Sequence, residues 1–172
     1  MQIPNGVDRE QFYPTTGKDL NYCIFASAPN RGLKRLPLIF EATRNRTRPE
    51  LYMRAYSNVA SLHPNEVGES DQYELVYKDI QDSAVELCDP LPQDRFADHL
   101  RVAGLMIIPT DYPEICSNVI LQALACGTPV FTTGRLGSAG EWVKDGVNGM
   151  LTYWKPHDYM IYQLEMVRHL VA

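Results

Sequence analysis

The chain has 172 residues, 45% of them hydrophobic and 22% charged, with a formal net charge of -5 at neutral pH. That is the size of one domain with enough apolar material for a core, which excludes a disordered chain, and the lack of excess positive charge argues against a nucleic-acid partner. No run of about 18 apolar residues occurs, and the opening MQIPNGVDREQF lacks a basic head followed by an apolar stretch, so a soluble, cytoplasmic protein without a transmembrane segment is expected.

Taken in chain order, the stretch NYCIFAS from Asn21 has the β-branched and aromatic character of a buried strand. The turn APNRG follows, and then an apolar-periodic helix, which Pro37 restricts to a start near Lys34 to Leu36 because proline is tolerated only in a first turn. Further short strands are expected at LYMRAYS from Leu51, VELC from Val85, LMIIP from Leu105, PVFTT from Pro129 and NGMLT from Asn148. Helices are expected at Gln93 to Ala103, Ser117 to Cys126 and Asp158 to Val171, with a short one near Glu141. His63 to Asp71 carries no pattern and reads as a loop leading into a helix or a strand. Alternating strands and helices predict an α/β fold with a parallel sheet covered on both faces.

The four cysteines, Cys23, Cys88, Cys116 and Cys126, form no Cys-x-x-Cys pair and read as reduced core thiols. The histidines have no metal spacing, and each reads as a solvated or capping side chain. Charge is uneven. Arg31 to Arg54 holds seven basic residues against two acids, and Asp71 to Asp98 holds eight acids against two bases. Arg44, Arg46 and Arg48 suit a solvated helix end, where cations complement the dipole. Arg31 and Lys34 fall instead at a loop-to-helix junction, where free N–H groups already favour an anion.

In open parallel sheets ligands bind beyond the carboxyl ends of the strands, so the loops after Ser27, Cys88, Pro109 and Thr133 are the places to seek chemistry. The densest of these is DYPEICSNVILQALACGTPVFTT, Asp111 to Thr133. Ser117 and Asn118 are capping-type residues at a helix start, where first-turn N–H groups suit an anion. Glu114 just ahead of them would repel a phosphate but accepts hydrogen bonds from the hydroxyls of a neutral sugar. Gln122 is a lone amide in the apolar ILQALAC and needs a partner, either a ribose diol or a loop carbonyl. Gly127 reads as the helix C-cap. Gly134, Gly137 and Gly140 allow close backbone approach, but their spacing is not that of a dinucleotide fingerprint. Trp142 and Trp154 read as core in preference to a stacking platform.

PEICSNVILQALACGTPVFTTGRLGSAGEWVKDGVNGMLT resembles the nucleotide-sugar-binding C-terminal domain of retaining GT-B glycosyltransferases, the glycosyl transferases group 1 family. Its hallmark is Glu, seven residues, Glu, then Ala-x-x-x-Gly-x-Pro-Val. IPNGVDREQFYP is similar to the family's interdomain segment, and FASAPNRGLKRL to its first strand and phosphate loop. The resemblance implies a Rossmann-like half of a GT-B enzyme, with residues 1–18 an interdomain hinge segment and residues 19–172 the donor-binding domain. It implies transfer of a sugar from a nucleotide-diphosphate sugar with retention of configuration, no metal and no cofactor. The acceptor site would lie in an N-terminal domain absent from this chain, which could also supply a peripheral membrane contact.

By the same resemblance Glu114 is the catalytic-site acid that holds donor sugar hydroxyls. Ile115, Cys116, Ser117 and Asn118 lie against sugar and diphosphate, Arg31 and then Lys34 contact the diphosphate, and Asp89 and Leu91 of DPLPQD shelve the nucleobase. Gln122 stands where the family's second glutamate holds the ribose, and Ser27 where an arginine is frequent. These departures keep two alternatives open: a non-catalytic domain that retains the fold for interaction, and a nucleotide-sugar epimerase fragment.

Overall fold

The structure is a computed structural model and describes residues 5–46, 48–62, 70–110, 112–113, 115–133 and 137–152. Six strands form one sheet: β1 (Asp19–Ala26), β2 (Tyr52–Tyr56), β3 (Val85–Cys88), β4 (Ala103–Ile108), β5 (Val130–Thr133) and β6 (Gly149–Thr152). Every pairing is parallel, in the order β3-β2-β1-β4-β5-β6. The helices are α1 (Leu36–Arg46), α2 (Ser70–Gln81), α3 (Gln93–Val102), α4 (Asn118–Ala125) and a single turn, α5 (Ala139–Trp142).

Alternation along the strands divides the core into two layers. Cys23 and Phe25 of β1, Met53 and Ala55 of β2 and Ile107 of β4 pack beneath Leu36, Ile39 and Phe40 of α1 and Ile80 of α2. Tyr22, Ile24, Met106, Ile108 and Val130 face the other way, onto Phe96, Ala97 and Leu100 of α3 and Ile120 and Ala123 of α4. All six residues of β4 are buried, as a central parallel strand covered on both faces requires. The fold is the Rossmann-like α/β arrangement expected. The predicted helix at Asp158 to Val171 lies outside the described residues.

Several boundaries differ from the sequence reading for local reasons. Proline at position 37 places the start of α1 at Leu36, after two 3-10 turns at Pro29–Arg31 and Leu33–Arg35. The element after His63 to Asp71 is a helix. Tyr73 and Ile80 of α2 are buried, with Val76 and Tyr77 packed against the core, which is helical spacing within a strongly acidic stretch. Gly127, in the left-handed region at φ 69°, ends α4 by donating its N–H to the Leu124 carbonyl, 3.0 Å away.

Residues 5–18 lie against α3 and α4. Phe12 is 2% exposed within the α3–α4 layer. The Thr15 hydroxyl donates to the Arg101 carbonyl at 2.7 Å, and the Arg101 guanidinium donates to the Gln11 carbonyl at 2.6 Å. The Lys18 ammonium meets the Leu100 carbonyl at 3.0 Å and the Thr128 hydroxyl at 2.5 Å, and burial pushes its pKa down to about 8.

Two sequence expectations about polar side chains need correction. Cys23 and Cys126 are core thiols, but Cys88 and Cys116 are only half-buried. His99 of α3 is neither a solvated nor a capping residue. Its Nδ1 lies 3.0 Å from the Tyr22 hydroxyl and 3.2 Å from that of Tyr56, between α3 and the sheet. Burial, followed by the positive charge of Arg54, pulls the imidazole below its ordinary pKa, against the smaller opposing pull of Asp98 and Glu86.

The unfolded chain therefore binds the His99 proton more readily than the folded one, so this contribution to stability is present above about pH 6.5 and is lost as pH falls below it. Urea unfolding is expected to show a lower midpoint at about pH 5.5 than at about pH 7.5. The difference should shrink in His99→Gln. An unchanged difference in that variant would assign the pH dependence to other groups.

Candidate functional site

The strand order makes β1 and β4 neighbours at the place where the chain reverses its direction of winding. Their carboxyl ends open into two loops, residues 27–35 and 109–117, which flank the crevice where open α/β sheets receive ligands. The two loops touch through backbone. Gly32 takes φ 103°, and a side-chain carbon on it would lie 2.3 Å from the Pro109 carbonyl oxygen, so only glycine fits both conformation and space. The same carbonyl accepts a 3.1 Å hydrogen bond from the Arg35 guanidinium.

Neighbouring strand ends are laced to this rim. The Ser57 hydroxyl after β2 donates to the Ser27 carbonyl after β1 at 2.7 Å, while the Ser57 N–H donates to the Cys88 carbonyl at the end of β3 at 3.1 Å. On the other side the Thr133 hydroxyl of β5 donates to the Thr110 carbonyl. The ends of β1, β2 and β3 are thereby joined at Ser57 and the end of β5 is joined to that of β4, and no sequence motif marks either hydroxyl.

Helix α4 begins on this rim. Ser117 has N-cap backbone geometry and is buried, but its hydroxyl makes no capping bond, and Asn118 is exposed as the first helical residue. The capping expectation therefore holds for the backbone of Ser117 and not for its side chain. The carbonyl of the Asn118 side chain accepts a 2.8 Å hydrogen bond from the Asn5 amide, a long-range contact that no local motif foreshadows. The Ser117 carbonyl takes the N–H of Leu121 at 3.2 Å, which leaves the amides of the first turn without an intrahelical acceptor. No acidic residue occupies that turn. A helix start of this kind favours an anion through its N–H groups and its dipole together.

Arg31 ends the first 3-10 turn, half-buried, with its guanidinium carbon 3.2 Å above the centre of the Tyr112 ring. Lys34, in the second turn, is exposed. Ile115 is 93% exposed and Cys116 half-buried on the approach to α4. Gln122 is 8% exposed within α4. Asp89 is exposed after β3, whereas Leu91 packs partly into the α3–α4 core layer. Trp142 also packs against that layer, in keeping with a core role. Glu114, Trp154 and Gly134 lie outside the described residues. Among the described residues no three His, Cys, Asp or Glu side chains are grouped to hold a metal, and no helix is long and apolar enough to cross a membrane.

The sequence profile described as "Glycosyl transferases group 1" matches residues 39–166, well over half of the chain. The chain belongs to the glycosyl transferases group 1 family. Similar proteins include D-inositol 3-phosphate glycosyltransferases from two organisms. That of Nocardiopsis dassonvillei is 37% identical over 76 residues, 44% of this chain and 17% of the relative. That of Thermobifida fusca is 28% identical over 129 residues, 64% of this chain and 29% of the relative. The matched region thus spans less than a third of either relative's length.

Solved structures share its fold. The C-terminal domain of the Francisella tularensis group 1 protein LpcC superimposes with a TM-score of 0.69 at 17% identity, covering 96% of this chain and 92% of that one. Anabaena HepE, solved in complex with UDP and glucose, gives a TM-score of 0.67 at 20% identity, covering 94% of this chain and 45% of that one.

The contact between the two loops is testable without a ligand. Gly32→Ala is expected to lower the stability of this group 1 domain by about 2 kcal/mol or more, since a strained left-handed backbone and a clash with the Pro109 backbone arise together. A urea midpoint equal to that of the unaltered chain would show that the loops separate freely.

Proposed function

We propose that this chain is the donor-binding half of a glycosyltransferase. Joined to an N-terminal domain that carries the acceptor, it would transfer a sugar from a nucleotide-diphosphate sugar with retention of configuration. The observation that carries this reading is the acid-free start of α4 on the rim between β1 and β4, with Arg31 on the facing loop. The family membership and the fold shared with a UDP-complexed protein support it.

In this reading the diphosphate rests on the first-turn amides of α4 and the approach residues Ile115, Cys116, Ser117 and Asn118. Arg31 supplies a charge-assisted contact of about 1.5–3 kcal/mol, and exposed Lys34 a weaker one. Glu114 receives the hydroxyls of the donor sugar, Gln122 receives the ribose diol, and Asp89 with Leu91 borders the base. Negative charge grows on the diphosphate as its bond to the sugar breaks. Preorganised amides and a fixed guanidinium therefore hold the transition state more tightly than the donor, which is how binding groups become catalytic. The reading assigns no metal and no cofactor. Residues 1–18 serve as the hinge segment, and closure of the second domain supplies acceptor positioning and water exclusion.

Gln122 favours one other reading, a domain that keeps the fold without catalysis. An amide in place of a carboxylate loses the charge-assisted part of a ribose contact, about 1 kcal/mol. Calorimetric titration with UDP-, GDP- and ADP-sugars separates the two. Saturable binding of one donor, weakened about 10- to 100-fold in Arg31→Ala and in Glu114→Ala, is expected. Absence of binding by every donor overturns the proposal in favour of the non-catalytic domain. These residues alone are expected to show neither transfer nor donor hydrolysis, and robust turnover by them would refute the need for a second domain.

A further inference from the structure

The contact between Arg31 and Tyr112 joins the two loops of the crevice by side chains, and its geometry is unusually close. The guanidinium carbon sits 3.2 Å from the ring centroid, which is face-on contact. A stacked guanidinium gives its flat face to the π-cloud, while its N–H donors point outward in the plane of the group. Stacking therefore fixes the orientation of the group without consuming its hydrogen-bonding edges.

Both partners are held from behind. Tyr112 precedes Pro113, which confines its backbone to extended conformations, and its N–H donates to the Thr110 hydroxyl at 3.0 Å. Thr110 is itself buried, and its carbonyl receives the Thr133 hydroxyl at the end of β5. On the other loop, the Arg31 N–H donates to the Ala28 carbonyl at 3.0 Å, and the next residue, Gly32, is pressed onto the Pro109 backbone. The ring thus belongs to the β4 loop, the cation belongs to the β1 loop, and each is anchored to a strand end.

We infer that Tyr112 is a positioning residue for diphosphate recognition, its ring fixing the plane of the Arg31 guanidinium so that the donor edge is presented to the pyrophosphate beside the start of α4. This rests on the proposed reading of the site as a donor-binding one. It adds a residue that makes no contact with the ligand and acts wholly through Arg31. It also requires arginine at position 31, since an ammonium group has no planar fork to orient.

The test is calorimetry on this chain with UDP, GDP and ADP and with the matching nucleosides uridine, guanosine and adenosine. For the base that binds, Tyr112→Ala is expected to weaken the diphosphate about 10-fold and leave the nucleoside unchanged, whereas Tyr112→Phe, which keeps the ring, retains the affinity of the unaltered chain. Adding Tyr112→Ala to Arg31→Ala should cost nothing further, because the two act as one unit. Arg31→Lys should resemble Arg31→Ala more than the unaltered chain.

An equal loss of diphosphate and nucleoside affinity in Tyr112→Ala would indicate general damage to the domain and overturn the inference. So would an additive double variant, or full diphosphate affinity in Tyr112→Ala while Arg31→Ala is impaired. These results leave the donor-binding reading standing. If the unaltered chain binds none of the three diphosphates, the reading and the inference fall together.

Discussion

The backbone contact between Gly32 and the Pro109 carbonyl is the constraint on which the crevice depends. Pairing β1 with β4 brings two strand ends side by side, but strand spacing alone would leave their loops free to splay. Removing the side chain at position 32 lets the first loop lie on the second, and a 3.1 Å bond from Arg35 to the same carbonyl holds it there. Arg31, next to Gly32 in the chain, is placed by this contact. The chain makes two tight 3-10 turns before Pro37 permits regular helix, so the crevice is lined by a compact loop at β1 and by a full helix start at β4.

The rim shows how a site can be precise while its loops remain short and polar. Ser57 and Thr133 reach carbonyls beyond the ends of neighbouring strands, so that backbone groups with no ladder partner are satisfied by hydroxyls. The first-turn amides of α4 are main-chain groups, whose positions follow from strand and helix geometry and not from rotamers. Side chains add to the rim: Arg31 brings charge, and Gln122 a neutral polar group within the apolar α4. The chain keeps the fold of LpcC and HepE at 17–20% identity to them. What the fold demands is a pattern of burial and a few glycines, and little of it is written in particular polar residues.

That division also sets what could be read in the residues. Strands such as VELC and PVFTT, the α4 helix with its Gly127 stop and the delayed start of α1 all follow from local apolar pattern or from proline and glycine stereochemistry. α2 carried its own pattern in Tyr73, Val76, Tyr77 and Ile80, but the surrounding acids and the featureless stretch ahead of it obscured the period. Tyr112, Ser57 and His99 were not legible, because each acts on a residue tens of positions away in sequence. The pairing of Tyr22, Tyr56 and His99 exists only once β1, β2 and α3 have been packed together. Asn118 is a similar case: its type suits a helix start, yet its partner, Asn5, comes from the far end of the chain.

The segment ahead of β1 is fastened along its length: Asn5 to the first residue of α4, Phe12 in the layer beneath it, Gln11 and Thr15 to Arg101 of α3, and Lys18 to Leu100 and Thr128 near the far end of α4. It runs alongside α4 like a splint, bound to the helix or its flanking residues at either extremity. A pull on the leading residues therefore bears on the first turn of α4 through Asn118 and, through Phe12, on the layer on which that helix rests.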